Sequence, residues 1–422
     1  MIHIDDKHYD RALMQAMSER AALATGLAEG ADLSYAVCLS DTAEFLALLF
    51  AIREAGASIL PIHPSTPRAA ARRTAIDAGC DRLICDGYAI EKLEGGAPGP
   101  GRLLQTTSGT TGEPKRIARS WAEIDREIES YVSFFREPED MTPVVACPVT
   151  HSYGLICGVL VALRRGQVPH VLNTGNPKFL IARLRETRRP LLYSSPAMLH
   201  TIARLLPAGE TIFAAMTSGT LLPESWFAAI RGRTRHLFQQ YGCSEAGCIA
   251  INPDLAAADE MGHPLPHLSV DTGTADAPRE IVVRAGEHEI HTADLGYLKA
   301  DGTLVFVARL DDTISVSGLN VYPREVEDVV MAMPGVTDAV AFRKLDPFAG
   351  ERVALAFSAE HAIAPASLRE WCAQNLAAHQ VPMETMRVAR VPRQANGKIN
   401  RRAIATLYAD GRLERIAAEA MA

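Results

Sequence analysis

The residues best suited to do chemistry lie in Thr106-Thr107-Ser108-Gly109-Thr110-Thr111-Gly112-Glu113-Pro114-Lys115. Glycines at 109 and 112 permit a tight turn and a close approach of backbone to a ligand. Hydroxyl side chains and backbone N–H groups can surround phosphate oxygens, and Lys115 adds a positive charge. A Ser/Thr/Gly stretch alone reads as a polar surface loop. This one follows Arg102-Leu103-Leu104 and closes on Pro-Lys, which favours a phosphate site. It is not a Walker A loop, because the second glycine is followed by Glu-Pro-Lys rather than by Lys and a hydroxyl residue.

Elements of alternating type must position such a loop. Residues 35–62 read as a strand, the amphipathic helix DTAEFLALLFAIREAG ended by Gly56, and the short buried strand ILPIHP. PRAAARRTAIDAG and DRLICD repeat that rhythm, which argues for an α/β layer structure. LEGGAPGPG is a linker into the phosphate loop. From 262 to 309 the pattern changes to short strands and turns, with REIVVRAGEHEIHT, the turn Asp301-Gly302 and TLVFVARL. Pro323 then opens a helix at the favoured first-turn position. A smaller α+β unit follows, and the shifts place a domain boundary near Asp311.

The whole chain sets bounds. Its 422 residues exceed one usual domain, and its composition, 48% hydrophobic and 22% charged, is globular. A net charge of −7 without a basic stripe argues against nucleic acid or an anionic membrane as partner. The eight cysteines form no Cys-x-x-Cys pair and read as reduced thiols. No signal-peptide pattern opens the chain, and the apolar run from Gly154 to Leu163 is too short to span a bilayer, so a cytoplasmic location is expected.

The phosphate loop resembles that of the adenylate-forming superfamily, which includes acyl- and aryl-CoA ligases, peptide-synthetase adenylation domains and beetle luciferases. Further stretches follow in that superfamily's order. Ser218-Gly219-Thr220 is similar to its segment lining adenine, and Tyr241-Gly242-Cys243-Ser244-Glu245 to its aromatic-Gly-x-[Ser/Thr]-Glu motif. Thr292-Ala293-Asp294-Leu295-Gly296 resembles Thr-Gly-Asp-x-Gly, with alanine at the usual glycine. Arg309 to Asp312, Ser317-Gly318 and Tyr322 to Glu327 resemble its hinge region, and Asn396-Gly397-Lys398 its Gly-Lys loop. Each stretch alone would read as an ordinary turn or solvated surface. The ordered set covers about residues 35 to 405.

The resemblance implies an α/β fold. A large N-terminal domain of αβα layers with a small distorted β-barrel part (1–310) would carry AMP binding and the acid pocket. A small mobile α+β domain (311–422) would follow. ATP and Mg²⁺ are implied. Thr107, Ser108, Gly109, Thr110, Thr111 and Lys115 would hold phosphates, with Ser218, Gly219, Thr220, Tyr241, Gly242, Ser244, Asp294 and Arg309 around the rest of the nucleotide. Tyr241 would stack on adenine, Asp294 would accept from ribose hydroxyls, and Glu245 would bind Mg²⁺. Lys398 would sit between the substrate carboxylate and the α-phosphate. Asp311 would be the hinge, and Gly318 would let a pantetheine arm pass.

Pro148-Val149-Thr150-His151-Ser152-Tyr153-Gly154 occupies the superfamily's acid-pocket gate, with Gly219 and Gly242 also lining the pocket. Domains for α-amino acids place an Asp there to pair with the ammonium. His151 and Ser152 stand instead, and a buried ammonium without a counter-charge is costly. The short chain and this gate favour an aromatic acid such as a hydroxybenzoate, with a medium-chain fatty acid as the alternative. The acceptor is expected to be a carrier protein's phosphopantetheine or coenzyme A, with the carrier protein preferred. A luciferase-like oxygenase or a non-catalytic nucleotide-binding protein are readings of another class. Retention of Lys398 and Glu245 speaks against the second.

Overall fold

The fold is described from a computed structural model. It covers residues 1–413 apart from 31, 95–98, 108–114, 174, 317, 347–349 and 395–397, and the backbone but not the side chains of Thr107 and Lys115. Ser108, Gly109, Thr110 and Thr111, the Thr107 and Lys115 side chains, Ser317 and Asn396-Gly397 therefore lie outside the described residues.

Among the described residues the strands form three sheets, of 13, six and five strands. The centre of the long sheet is parallel: Ile2–Ile4, His170–Val171, Thr142–Val145, Pro190–Ser194, Ile212–Thr217 and Thr234–Cys243 lie side by side. Every residue of Pro190–Ser194 is buried, as expected for a strand covered on both faces. Beyond Thr234–Cys243 the sheet turns antiparallel and continues through Gly247–Asn252, Glu260–Pro264, Leu304–Arg309, His288–Leu298, Arg279–Ala285 and Ser269–Asp271. This antiparallel end, with bulged pairing at Glu260/Gly262 and Leu295/Gly296, stands where the small distorted barrel part is expected.

The six-stranded sheet carries the first expected α/β units. Ser34–Val37, Ser58–Pro61 and Arg82–Ile84 pair in parallel. Asp41 caps the helix Thr42–Glu54 by accepting from the Glu44 N–H at 3.0 Å. The strands Arg102–Thr107 and Lys115–Ser120 close this sheet as the hairpin that bears the phosphate loop. Ser120 then caps the helix Trp121–Phe134 in a reciprocal box with Glu123.

The apolar run after Tyr153 is not an ordinary helix. Tyr153–Leu160 winds as a π-helix before the short α-helix Val161–Arg164, and Gly154 to Leu160 are all buried. The small C-terminal domain holds the third sheet, built on the long hairpin Val336–Asp346 and Gly350–Ala359. Its first helix, Pro323–Met331, starts at Pro323 as the sequence predicts. The large domain meets it at the helix Glu224–Arg231, where the Glu224 N–H donates to Asp328 at 3.1 Å. The Arg393 guanidinium lies 5.0 Å from the Trp226 ring centre. No described helix is long and apolar enough to cross a membrane.

Candidate functional site

The site lies at the C-terminal ends of the parallel strands of the long sheet, the usual place for a ligand crevice in such a sheet. Ser218-Gly219-Thr220 leaves the end of Ile212–Thr217, and Gly219 is exposed with a φ of +90°. Tyr241 lies near the end of the neighbouring strand, at a bulge before Gly242. Glu245 lies half-buried in the turn between Thr234–Cys243 and Gly247–Asn252, with Ser244 beside it.

Asp294 is the best-defined polar centre. It sits on His288–Leu298 opposite Arg309, and its carboxylate is buried. The Tyr241 hydroxyl donates to Asp294 Oδ2 at 2.6 Å. Oδ1 lies 3.2 Å from Arg309 Nη1 but accepts no hydrogen bond among the described residues. Burial pushes the Asp294 carboxyl above its ordinary pKa, and the Arg309 charge counters that. A buried carboxylate oxygen with spare acceptor capacity suits a ribose hydroxyl. The residues present therefore fit a nucleotide. Tyr241 is 8% exposed and packs tilted against Phe306 at 6.3 Å. Its hydroxyl is engaged by Asp294, which fixes the plane of the ring beside the residues read as nucleotide-binding.

Ala293, at the usual glycine of its motif, has a φ of +57°. An alanine in the left-handed region is strained, which explains why glycine would suit this turn. Its N–H donates to Glu280 at 2.9 Å and its carbonyl accepts from Leu310 at 2.8 Å, so both strands of the hairpin hold the conformation.

Lys398 comes from the small domain into this group. The crowded cleft and the nearby Arg309 charge lower its pKa, while Asp294, Cys243 and Glu245 raise it. The side chain keeps a water-exposed portion. The loop closes through the Gln394 N–H donating to the Lys398 carbonyl at 2.9 Å. Glu245, Asp294 and Arg309 thus lie close enough to Lys398 for their charges to act on it.

His151 faces the same cleft. Burial, then Lys398 and His63, push its pKa down to about 4, although part of the ring remains exposed. It is a neutral imidazole at neutral pH. Ser152 Oγ donates to Gln105 on the phosphate-loop hairpin at 2.8 Å. The Tyr153 hydroxyl donates to the Met216 carbonyl at 2.6 Å, which ties the π-helix to the strand before Gly219. No carboxylate occupies the gate positions 148–154. Gly242 is exposed, but its lack of a side chain also has a packing reason: a Cβ would lie 2.2 Å from the Gly247 carbonyl oxygen.

The hinge residues are tied to both domains. Asp311 accepts from Arg309 Nε at 3.1 Å, and its carbonyl accepts from Arg343 at 3.1 Å. Gly318 forms an exposed turn with a φ of +83° between Ile314–Val316 and Leu319–Val321. Sequence reasoning missed Arg401, which anchors the Lys398 loop. Its guanidinium bonds both Glu327 oxygens at 2.8 Å, Asp312 at 2.9 Å and the Ala341 carbonyl at 3.1 Å. It also missed Arg119 and Glu127, which are buried behind the Glu245 turn. Glu327 lay within the hinge motif, yet nothing in the sequence named its partner.

Comparison with known proteins matches this geometry. The AMP-binding enzyme family matches residues 101–284, and the AMP-binding enzyme C-terminal domain matches residues 325–398. The chain is 40% identical over 379 residues to the 3,4-dihydroxybenzoate–[aryl-carrier protein] ligase of Bacillus anthracis, covering 89% of this chain and 91% of that one. Its fold is similar to ATP-bound MatB from Rhodopseudomonas palustris, with a TM-score of 0.83, 19% identity and coverage of 97% and 96% of the two chains. It is also similar to o-succinylbenzoate coenzyme A synthetase from Bacillus subtilis in complex with ATP and magnesium, with a TM-score of 0.79, 20% identity and 95% coverage of each chain.

Proposed function

The chain belongs to the AMP-binding enzyme family, and on that premise we propose that it adenylates an aromatic acid of the dihydroxybenzoate class and passes the acyl group to an aryl carrier protein. The observation that carries this reading is the 40% identity, over 89% of the chain, to a ligase of that description. The gate at His151 and Ser152 supports it, because nothing there would pair with the ammonium of an α-amino acid.

In the first half-reaction a carboxylate oxygen of the acid attacks the α-phosphorus of ATP. The bond to the bridging oxygen breaks and pyrophosphate leaves. Little covalent help is needed, so positioning and charge compensation supply the catalysis. Asp294 accepts from the ribose and fixes the α-phosphate relative to the acid. Arg309 and Lys398 place positive charge where negative charge accumulates. Glu245 would hold Mg²⁺, which supplies charge compensation for the phosphates.

In the second half-reaction the phosphopantetheine thiol, losing its proton, attacks the acyl carbonyl and AMP leaves. Rotation of residues 311–422 about Asp311 removes Lys398 and brings the Gly318 turn to the cleft. A neutral His151 beside the carboxylate adds no competing charge there.

The test measures pyrophosphate release over a panel of hydroxybenzoates, fatty acids and amino acids, followed by acyl transfer to coenzyme A or to a holo aryl carrier protein. Release with dihydroxybenzoates and transfer to the carrier protein are expected. Release with amino acids alone would overturn the reading of the gate, and release with medium-chain fatty acids alone would favour the alternative substrate.

A further inference from the structure

Two different sheets carry the strand that follows the phosphate loop and the turn that bears Glu245. The strand Lys115–Ser120 leads out of the phosphate loop and belongs to the six-stranded sheet. Glu245 lies in a turn of the long sheet. A magnesium ion shared between a carboxylate and phosphate oxygens demands near-ideal ligand geometry. The separation of the two sheets at this point therefore matters.

Arg119 and Glu127 bridge that separation. Arg119 is on the strand leaving the phosphate loop, and Glu127 is on the helix Trp121–Phe134. Arg119 Nη2 lies 2.6 Å from Glu127 Oε2, with side chains only 6% and 1% exposed. Glu127 Oε1 accepts from the Cys248 N–H, at the far end of the Glu245 turn, at 2.7 Å. Gly247 is pressed against the pair in a left-handed conformation, φ +76°. A Cβ there would lie 2.4 Å from Glu127 Oε2 and 2.5 Å from Arg119 Nη1. Arg119 Nη1 is itself buried without a hydrogen-bond partner among the described residues.

This arrangement is costly for the fold. Two charges are desolvated and one donor is left unsatisfied, where an apolar pair of similar volume would often be more stable. What it provides is a rigid connection from the phosphate-loop strand, through a helix, to the turn bearing Glu245.

We propose that Arg119 and Glu127 are positioning residues, a buried strut that holds the turn bearing Glu245 against the strand Lys115–Ser120 and its helix, and so sets Glu245 for the magnesium–triphosphate. The strut rests on the reading of Glu245 as the magnesium-holding carboxylate. Neither residue touches the reacting atoms.

The experiment is ATP–pyrophosphate exchange by the full chain with its preferred acid, titrated with Mg²⁺, alongside thermal melting. Glu127→Gln keeps an acceptor for the Cys248 N–H but removes the charge opposite Arg119. The double variant Arg119→Met/Glu127→Gln removes the orphaned charge as well and keeps the test open should the single variant fold poorly. In both, the Mg²⁺ concentration for half-maximal activity rises about 10-fold while KM for the acid stays within about twofold. Melting temperature falls in the single variant and recovers in the double one. Recovery of both melting temperature and Mg²⁺ dependence in the double variant would overturn the strut, leaving a packing role alone. Glu245→Gln is the control. A Mg²⁺ shift there but in neither strut variant refutes the strut while the metal site stands. No shift in Glu245→Gln refutes the metal-site reading and the strut with it.

Discussion

The two sides of the cleft are held by different kinds of contact. On the large-domain side, four buried residues are tied in pairs by short hydrogen bonds, Tyr241 to Asp294 between two strands of the long sheet and Arg119 to Glu127 between a strand and a helix. On the small-domain side, Lys398 is an exposed side chain, and the contact between the two domains combines a buried apolar cluster with ion pairs that water reaches. The Arg204–Glu360 bridge, at 3.0 Å, joins side chains 53% and 59% exposed. Exposed pairs of this kind contribute about 0–1 kcal/mol each. The contrast is between a buried polar frame in the large domain and an exposed lysine carried by the small one, an arrangement that would suit a two-step reaction on one cleft.

The arm is nevertheless rigid within itself, and Arg401 makes it so. Arg401→Ala would leave Glu327 and Asp312 without their shared cation. Both are largely buried, at 11% and 24% exposure. Breaking such a pair costs about 3–5 kcal/mol, read by denaturant unfolding of the small domain. Adenylation should fall with it, because the Lys398 loop loses its anchor. A variant with normal stability and normal exchange rate would refute the anchoring role and blur the contrast between the anchored arm and the exposed lysine it carries.

A pH experiment sharpens the same contrast from the large-domain side. Burial, with Lys398 and His63 nearby, lowers the folded pKa of His151 from the ordinary 6.5 to about 4. The unfolded chain therefore binds the extra proton first as pH falls. His151 contributes no pH-dependent loss above the unfolded value, loses stability as pH drops below it, and reaches the full loss under the folded value. Because Lys398 is one cause of the depression, Lys398→Ala should raise the His151 pKa. NMR titration of the histidine ring, assigned with His151→Asn, checks this. An unchanged pKa would mean that Lys398 spends little time in the cleft.

The smallest effect concerns the frame. Ala293→Gly relieves a left-handed alanine but loosens the unfolded chain, so stability should rise by no more than about 1 kcal/mol. Thermal melting measures it, and a clear loss would show that the alanine methyl packs usefully.

Much of the frame was legible in the sequence because its signals are local. Asp41 before an apolar helical pattern, Gly56 after it and Pro323 at a helix start each act within one turn. The convergence of Glu245, Asp294, Arg309 and Lys398 was legible only through the resemblance of ordered motifs, since residues this far apart in sequence carry no local mark of proximity. Other features left no readable trace. The strands Ile2–Ile4 and Lys7–Tyr9, three residues each, are too short to show a period. The π-helix at Tyr153–Leu160 is uniformly apolar, so its sequence lacks the stripe that separates one helix type from another. Arg119 and Glu127 look like ordinary surface charges eight residues apart, and only the packing of two sheets buries them. Tyr241 was legible only in part: its ring type suggested stacking, while its hydroxyl bond to Asp294 is a tertiary fact with no local mark.

The central claim is that Lys398 serves adenylation and then withdraws. The direct measurement compares Lys398→Ala with the parent chain in two assays: ATP–pyrophosphate exchange, and thiol transfer from a supplied aryl-adenylate. Loss of one oriented electrostatic group predicts a fall of about 10²–10³-fold in the first and far less in the second. Equal loss in both assays would contradict it.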